Sequence, residues 1–441
     1  MTELLLGIDV GTSACKATVV DADGVEVAHG QAPTPWQPVP TGAELDPEAL
    51  LAAVLSAAGD AIARAPEGRV AGVGVTSVAE TGMLLDGAGR VLHRPVAWHD
   101  SRGTAEAQAL ARDLPDFSER TGLPASALCS LAKVKHLGTR GAARWLNVGE
   151  WVVHRLGGRQ VSELSLSSRT GLLDLEPVAP YADAIAWAGL PDDVLAELVV
   201  AGTEAGRSDG AALPGTEGAV LTVAGHDHLV AGVGVGVIAP GDVLDSCGTA
   251  EALVRVAPPQ DAAARRRSAQ AGVTVGWHVA EGRQALLAGV WSGLALREVL
   301  ELLGADREEL SAGVLATAPG DAPALELELE LHSLERPPVR LPEAEPIAVW
   351  RGAIDTVTRE VQALIAHIDE VAGPHTKVVV TGGWARDPAV FDAKRRLGAI
   401  EAPPVIEAGC RGAALLAGVA AGLFASADEL PVVSAIEKEP A

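Results

Sequence analysis

Apolar positions along the chain follow two periods. Near the start, LLLGIDV and ACKATVVD are short apolar runs separated by Gly11-Thr12-Ser13. That pattern predicts a strand, a tight turn and a second strand, with the acidic Asp9 near the end of the first. LDPEALLAAVLSAAGDAIARA carries apolar residues at helical spacing behind an Asp-Pro start, so it reads as a helix. VAGVGVTSVAE and GMLLDGAGRVL read as strands, the second turning back at Asp86–Arg90. Further on, RGAIDTVTREVQALIAHIDEVAG predicts a long amphipathic helix leading into the strand KVVVTGG, and another helix begins after Pro388.

The opening pattern returns at 241–257, GDVLDSCGTAEALVRVA, where Gly248-Thr249-Ala250 falls opposite Gly11-Thr12-Ser13. A repeated strand-turn-strand in an alternating helix and strand pattern predicts layered α/β lobes built on one plan. The boundary is expected near 230–240, giving lobes over 1–235 and 236–441. LDLEPVAPYADA and the acidic stretch at 325–340 read as surface connections or an edge strand. AALLAGVAAGLFASA at 413–427 falls short of the roughly 20 apolar residues that span a bilayer and reads as a buried helix.

Composition narrows the function. With 441 residues and 48% hydrophobic content the chain can bury two or more cores, and at 3% aromatic it must pack them mainly with aliphatic side chains. A formal charge of −24 argues against nucleic acid and anionic membrane as partners. Cys15, Cys129, Cys247 and Cys410 are scattered, with no CxxC pair, so neither a zinc site nor a disulfide framework is indicated. Reduced thiols and the lack of a leader-like start predict a cytoplasmic protein, and a homodimer is left open.

Successive backbone N–H groups in a turn make an anion-binding concavity, and Thr or Ser hydroxyls add donors. Two such turns, one from each half, could clamp a polyphosphate. Asp9 would then stand where Mg²⁺ is held and Lys16 could neutralise further charge, unless DVGTS is only a hairpin with a turn-forming Asp. There is no GxxxxGK[ST] and no GxGxxG opening a helix after a strand, so neither a P-loop nor a dinucleotide fold is supported. In AVLTVAGHDHLVAGVGVG a strand ends at Gly225 and Asp227 opens a small-residue helix. A carboxylate there is kept ionised by the helix dipole and could serve as a general base, or merely cap the helix. Adjacent His226 and His228 rarely face one metal ion together. Glu80 after a strand, then Trp98, Asp100 and Arg102 in AWHDSRG, would suit a polyhydroxylated ligand, though Asp100 and Arg102 could equally be a structural pair.

Taken in order, DVGTSACKA, AWHDSRG, GHDH, DSCGTAEAL and VVVTGGWARDP resemble the motifs of the FGGY family of carbohydrate kinases over nearly the whole chain. The resemblance implies a two-lobed actin/hexokinase-like (ribonuclease H-like) fold with ATP and Mg²⁺ in the interlobe cleft. It implies that Asp227 is the base, that Asp9 and Asp227 organise Mg²⁺, and that Thr12, Ser13, Gly248 and Thr249 meet phosphate. Gly382 and Gly383 then lie on the adenosine side, with Trp384 where a small residue is common. Glu80 and Asp227 would bind sugar hydroxyls. Where glycerol kinases carry Arg before the Glu, this chain has Ala79-Glu80. GHDH and GTAEAL look most like the L-fuculokinase-like branch, then xylulokinases, so the implied substrate is a ketopentose or 6-deoxyketohexose. The family's Lys-x-x-Trp-Leu is Lys133-Val134-Lys135-His136-Leu137 here, a departure in a region that could reshape the pocket. A sugar or nucleotide sensor on the same fold, an ATPase-type switch and a polyol kinase are the competing readings.

Overall fold

The computed structural model describes residues 2–317, 322–329 and 339–432. Two six-stranded sheets organise it. In the first, β1 (Glu3–Val10) pairs antiparallel with β2 (Ala14–Asp21), which pairs with β3 (Glu26–Pro33). On its other side β1 runs parallel to β4 (Arg69–Ser77), and β4 to β7 (Val220–His226). Between these lie β5 (Gly82–Asp86) and β6 (Ala142–Asn147), which form a separate pair.

The second sheet repeats this plan. β8 (Asp242–Cys247) and β9 (Glu251–Ala257) form its antiparallel hairpin. β10 (Thr274–Trp277) and β11 (Gln284–Val290) extend it on the β9 side. β12 (Lys377–Thr381) and β13 (Ile400–Glu401) continue it in parallel on the β8 side. The sequence echo is therefore a structural one: each turn of interest joins the first two strands of its sheet.

Helices cover the faces as the apolar periods require. α1 (Pro47–Arg64) is capped by Asp46, whose side chain accepts from Glu48 and Ala49 N–H, and its Leu50, Val54, Ala57 and Ala61 pack under β1–β3. α3 (Pro346–Ala372) starts before the expected Arg351 and buries Trp350, Ile354, Val357 and Val361 in the second lobe, and α4 (Pro388–Lys394) starts at the expected proline. Two other helices position the site. α2 (Asp227–Gly234) and α5 (Ala408–Ala420) cross through glycine, where a Cβ on Gly412 would stand 2.0 Å from Val230 O. Along β1, Leu5, Gly7 and Asp9 share one face by the two-residue period of a strand. α5 lies so close there that a Cβ on Gly7 would come within 1.8 Å of Cys410 O.

Three local expectations change. The segment after β5 makes only a single bridge, Leu85 to Val91, and β6 is the strand's real partner. The helix at 413–427 begins at Ala408 and stops at Ala420. Of the acidic stretch, Leu325 and Leu329 turn inward without forming a strand, and 330–338 lies outside the described residues.

Candidate active site

The turn after β1 is gripped by two indoles. Trp36 Nε1 donates to Thr12 O at 2.7 Å and Trp98 Nε1 to Thr12 Oγ1 at 3.0 Å. Because the hydroxyl oxygen accepts, Thr12 keeps its own proton to donate. Trp98 then stacks on Trp291 of the second lobe, ring centres 5.8 Å apart at 21°. Two residues on, Gly293 lies under Gly248: a Cβ there would stand 1.9 Å from Gly248 O and 2.5 Å from Trp384 Nε1. These contacts run in sequence from the first turn across the cleft to the second. Gly382 (φ 95°) packs against Cys247 at the end of β8, where a Cβ would stand 2.5 Å from Cys247 O, so both backbone angle and space demand glycine.

Asp9 faces the start of α5. A Cβ on Gly409 would stand 2.6 Å from its Oδ2, while Oδ1 is buried without a hydrogen-bond partner. Burial first, then the Asp227 charge, push Asp9 up to about 8. Asp227 opens α2, and its Oδ1 accepts from His228 N–H at 2.8 Å and lies 3.1 Å from His226 Nε2. Burial would raise it, but the His228 and His226 rings outweigh burial and hold it below the usual carboxylate range. A buried carboxylate with an orphaned oxygen beside a second carboxylate is a donor set that suits a hard divalent cation. His226, Asp227 and His228 also lie close enough together to share an ion.

Glu80 acts electrostatically on His228. Its backbone is left-handed (φ 58°), and its carboxylate is bound by Arg169. Four residues singled out in the sequence have partners within the protein. Asp100 is fully buried and both its oxygens are taken, by Arg102 and Thr41, so it is the structural pair rather than an open acceptor. Burial would raise Asp100, yet those donors keep it low. Lys16 spends its charge on Glu407 at 2.8 Å. Trp384 is half-buried, tilted against Trp350 at 6.2 Å with Arg307 over its face. His136 pairs with Glu106 at 3.2 Å on the surface and does not line the cleft. Ser13, Thr249 and Gly383 are exposed.

A family model described as FGGY family of carbohydrate kinases, N-terminal domain, matches residues 4–234, more than half the chain. The chain belongs to the FGGY family of carbohydrate kinases. It is thus a sugar or polyol kinase, an ATP-dependent phosphotransferase. Among curated FGGY relatives, a glycerol kinase of Aromatoleum aromaticum is 28% identical over 97% of this chain and 92% of its own length. A xylulose kinase of Streptomyces coelicolor is 29% identical over 99% and 94%. A solved xylulose kinase from Lactobacillus acidophilus superposes with a TM-score of 0.88 at 18% identity, over 99% of this chain and 93% of that one. Glycerol kinase of Plasmodium falciparum, solved with ADP, gives 0.86 at 16%, covering 98% and 93%. These confirm the two-lobed actin/hexokinase-like fold. Among the described residues no helix is long and apolar enough to cross a membrane.

Several site residues carried no readable signal. Arg169 sits in SLSSRTG, which looks like any polar turn; Trp36 opens a short strand, Trp36–Val39, and Trp291 joins a strand to a helix, neither in a motif that marks it. Lysines are seldom buried, yet Lys133 is 2% exposed and donates to Trp98 O at 2.6 Å. Only the family's Lys-x-x-Trp-Leu pattern could have marked it.

Proposed function

We propose that this FGGY kinase transfers the γ-phosphoryl group of ATP to the terminal hydroxyl of a five- or six-carbon ketose and uses glycerol poorly. The observation that carries the reading is the electrostatic coupling of Asp9, near the end of β1 and just before the Gly11-Thr12-Ser13 turn, to Asp227 at the start of α2, with their protonation pushed in opposite directions. Carboxylates driven apart in this way divide their work. Asp227, ionised and at a helix start, takes the proton of the attacking hydroxyl, and Glu80 accepts from neighbouring hydroxyls. Asp9, with Asp227, would hold Mg²⁺, which supplies charge neutralisation on the phosphates. Gly11, Thr12, Ser13, Gly248 and Thr249 bind the phosphates through backbone N–H and hydroxyl donors. Lys16, tied to Glu407, adds field rather than contact, and Gly382, Gly383 and Trp384 border the adenosine. Trp98 packs on the sugar's C–H face, and Asp100 with Arg102 holds the Trp98 loop in place.

The ketose follows from the neighbour of Glu80. Ala79 is small and buried where glycerol kinases put arginine, so one donor to a short triol is gone and length is gained. Sites built to bond particular hydroxyls discriminate strongly, because an unmet buried polar group is costly. A coupled ADP-release screen over ketopentoses, 6-deoxyketohexoses, polyols and glycerol tests this. Glycerol with a higher kcat/KM than every ketose would replace the ketose with a polyol; ADP release indifferent to any sugar would favour a nucleotide switch.

A further inference from the structure

Beside the cleft, the first lobe covers the edge of the second sheet. Along edge strand β10, Val275 N donates to Gly122 O at 2.9 Å and Trp277 N to Ser168 Oγ at 2.9 Å. The approach leaves no room for side chains: a Cβ on Gly276 would stand 2.8 Å from Ser168 Cβ, and one on Gly122 2.2 Å from Val275 O. Arg169 follows directly. Its Nε and Nη2 reach Glu80 Oε1 at 2.6 and 2.5 Å, and its Nη1 donates to Thr274 Oγ1 on β10 at 2.5 Å. The Thr274 hydroxyl in turn donates a hydrogen bond to Leu287 O at 3.1 Å. Only 13% of the Glu80 and Arg169 side chains is exposed.

We propose that Arg169 is a positioning residue that ties the Glu80 carboxylate to the docking of β10, so that the sugar end of the site is complete only when the lobes touch. The inference rests on Glu80 as a hydroxyl ligand. A guanidinium is a rigid planar fork, so fixing one nitrogen on Thr274 fixes the plane of the others. Both bonds to Glu80 fall on Oε1, so Oε2 is the oxygen assigned to accept from a substrate hydroxyl. The left-handed backbone of Glu80 is a conformation that a non-glycine residue holds only when its surroundings impose it, and the Arg169 fork is such a constraint.

The test is steady-state ADP release by Thr274→Val, Arg169→Met, Glu80→Gln and the Glu80→Gln/Arg169→Met pair. The first probe is D-xylulose, followed by the best substrate of the sugar screen. Arg169→Met should raise sugar KM by about 10- to 100-fold, the worth of hydrogen bonds to a charged group, with ATP KM unchanged. Thr274→Val, nearly isosteric, should move sugar KM the same way by about 3-fold or more, and it decides the matter if Arg169→Met does not fold. In the Glu80→Gln background, Arg169→Met should add little further. Were Arg169 only structural, its loss would lower the melting temperature and leave sugar KM alone. Unchanged sugar KM in Thr274→Val and Arg169→Met, with Glu80→Gln impaired, overturns the inference and spares the ligand. Unchanged KM in Glu80→Gln overturns both.

Discussion

Replacing Lys133 by methionine separates the cost of a buried charge from the support it gives the Trp98 loop. Lys133 is 2% exposed, and its ammonium donates to Trp98 O at 2.6 Å and Leu128 O at 3.2 Å. Burial pulls it down from 10.5 to about 8, against the pull of Glu80. The folded value lies below the unfolded one, so the folded chain binds this proton less tightly. Its stabilising balance is therefore complete above about pH 10.5 and is lost as pH falls through 8. The full gap corresponds to about 3 kcal/mol, of which about 2.5 is regained between pH 7 and 10. Methionine has no proton to exchange, and the other titrations are common to both proteins. Urea unfolding followed by tryptophan fluorescence should show the parent gaining about 2 kcal/mol on Lys133→Met from pH 7 to 10. Phosphoryl transfer by the variant should fall, because Trp98 holds the Thr12 hydroxyl. A stability difference flat across this range would refute the buried ammonium.

Other consequences follow from contacts in the cleft. Gly409→Ala places a Cβ 2.6 Å from Asp9 Oδ2, so kcat should drop by at least about 10-fold with circular dichroism unchanged, since small misplacements of catalytic groups are costly. Asp100→Asn leaves Arg102 with Glu44 as its one carboxylate partner and should cost about 1–3 kcal/mol in urea unfolding, the worth of hydrogen bonds to a charged group; no measurable loss would make the pair dispensable. If Trp384 borders the adenine, ATP quenching of tryptophan fluorescence should weaken in Trp384→Phe. Equal quenching would leave Trp384 as packing against Trp350 alone.

The strand-turn-strand echo was legible because its signal is local: apolar runs of a strand's length around a Gly-Thr turn. Asp9 and Asp227 stood out for the same reason, as acids at element ends. What the sequence hid lies in contacts between distant segments. Asp100 reads equally as a sugar ligand or as the partner of Arg102 until Thr41 reaches it from 59 residues away, and Lys16 as a phosphate neutraliser until Glu407 arrives from 391 residues away. Arg169 acquires meaning only when β10 docks beside it. The pairing of β5 with β6 was obscured by 55 intervening residues and by a nearer turn that promised a hairpin.

The central claim is that Asp227 takes the proton of a sugar hydroxyl. Sugar-dependent ADP release by Asp227→Asn, compared with the parent at saturating ATP and the best substrate of the screen, tests it most directly. The account predicts a kcat lower by about 10²–10⁴, with melting temperature and ATP binding retained. A folded Asp227→Asn protein that turns over at the parent's rate would contradict it.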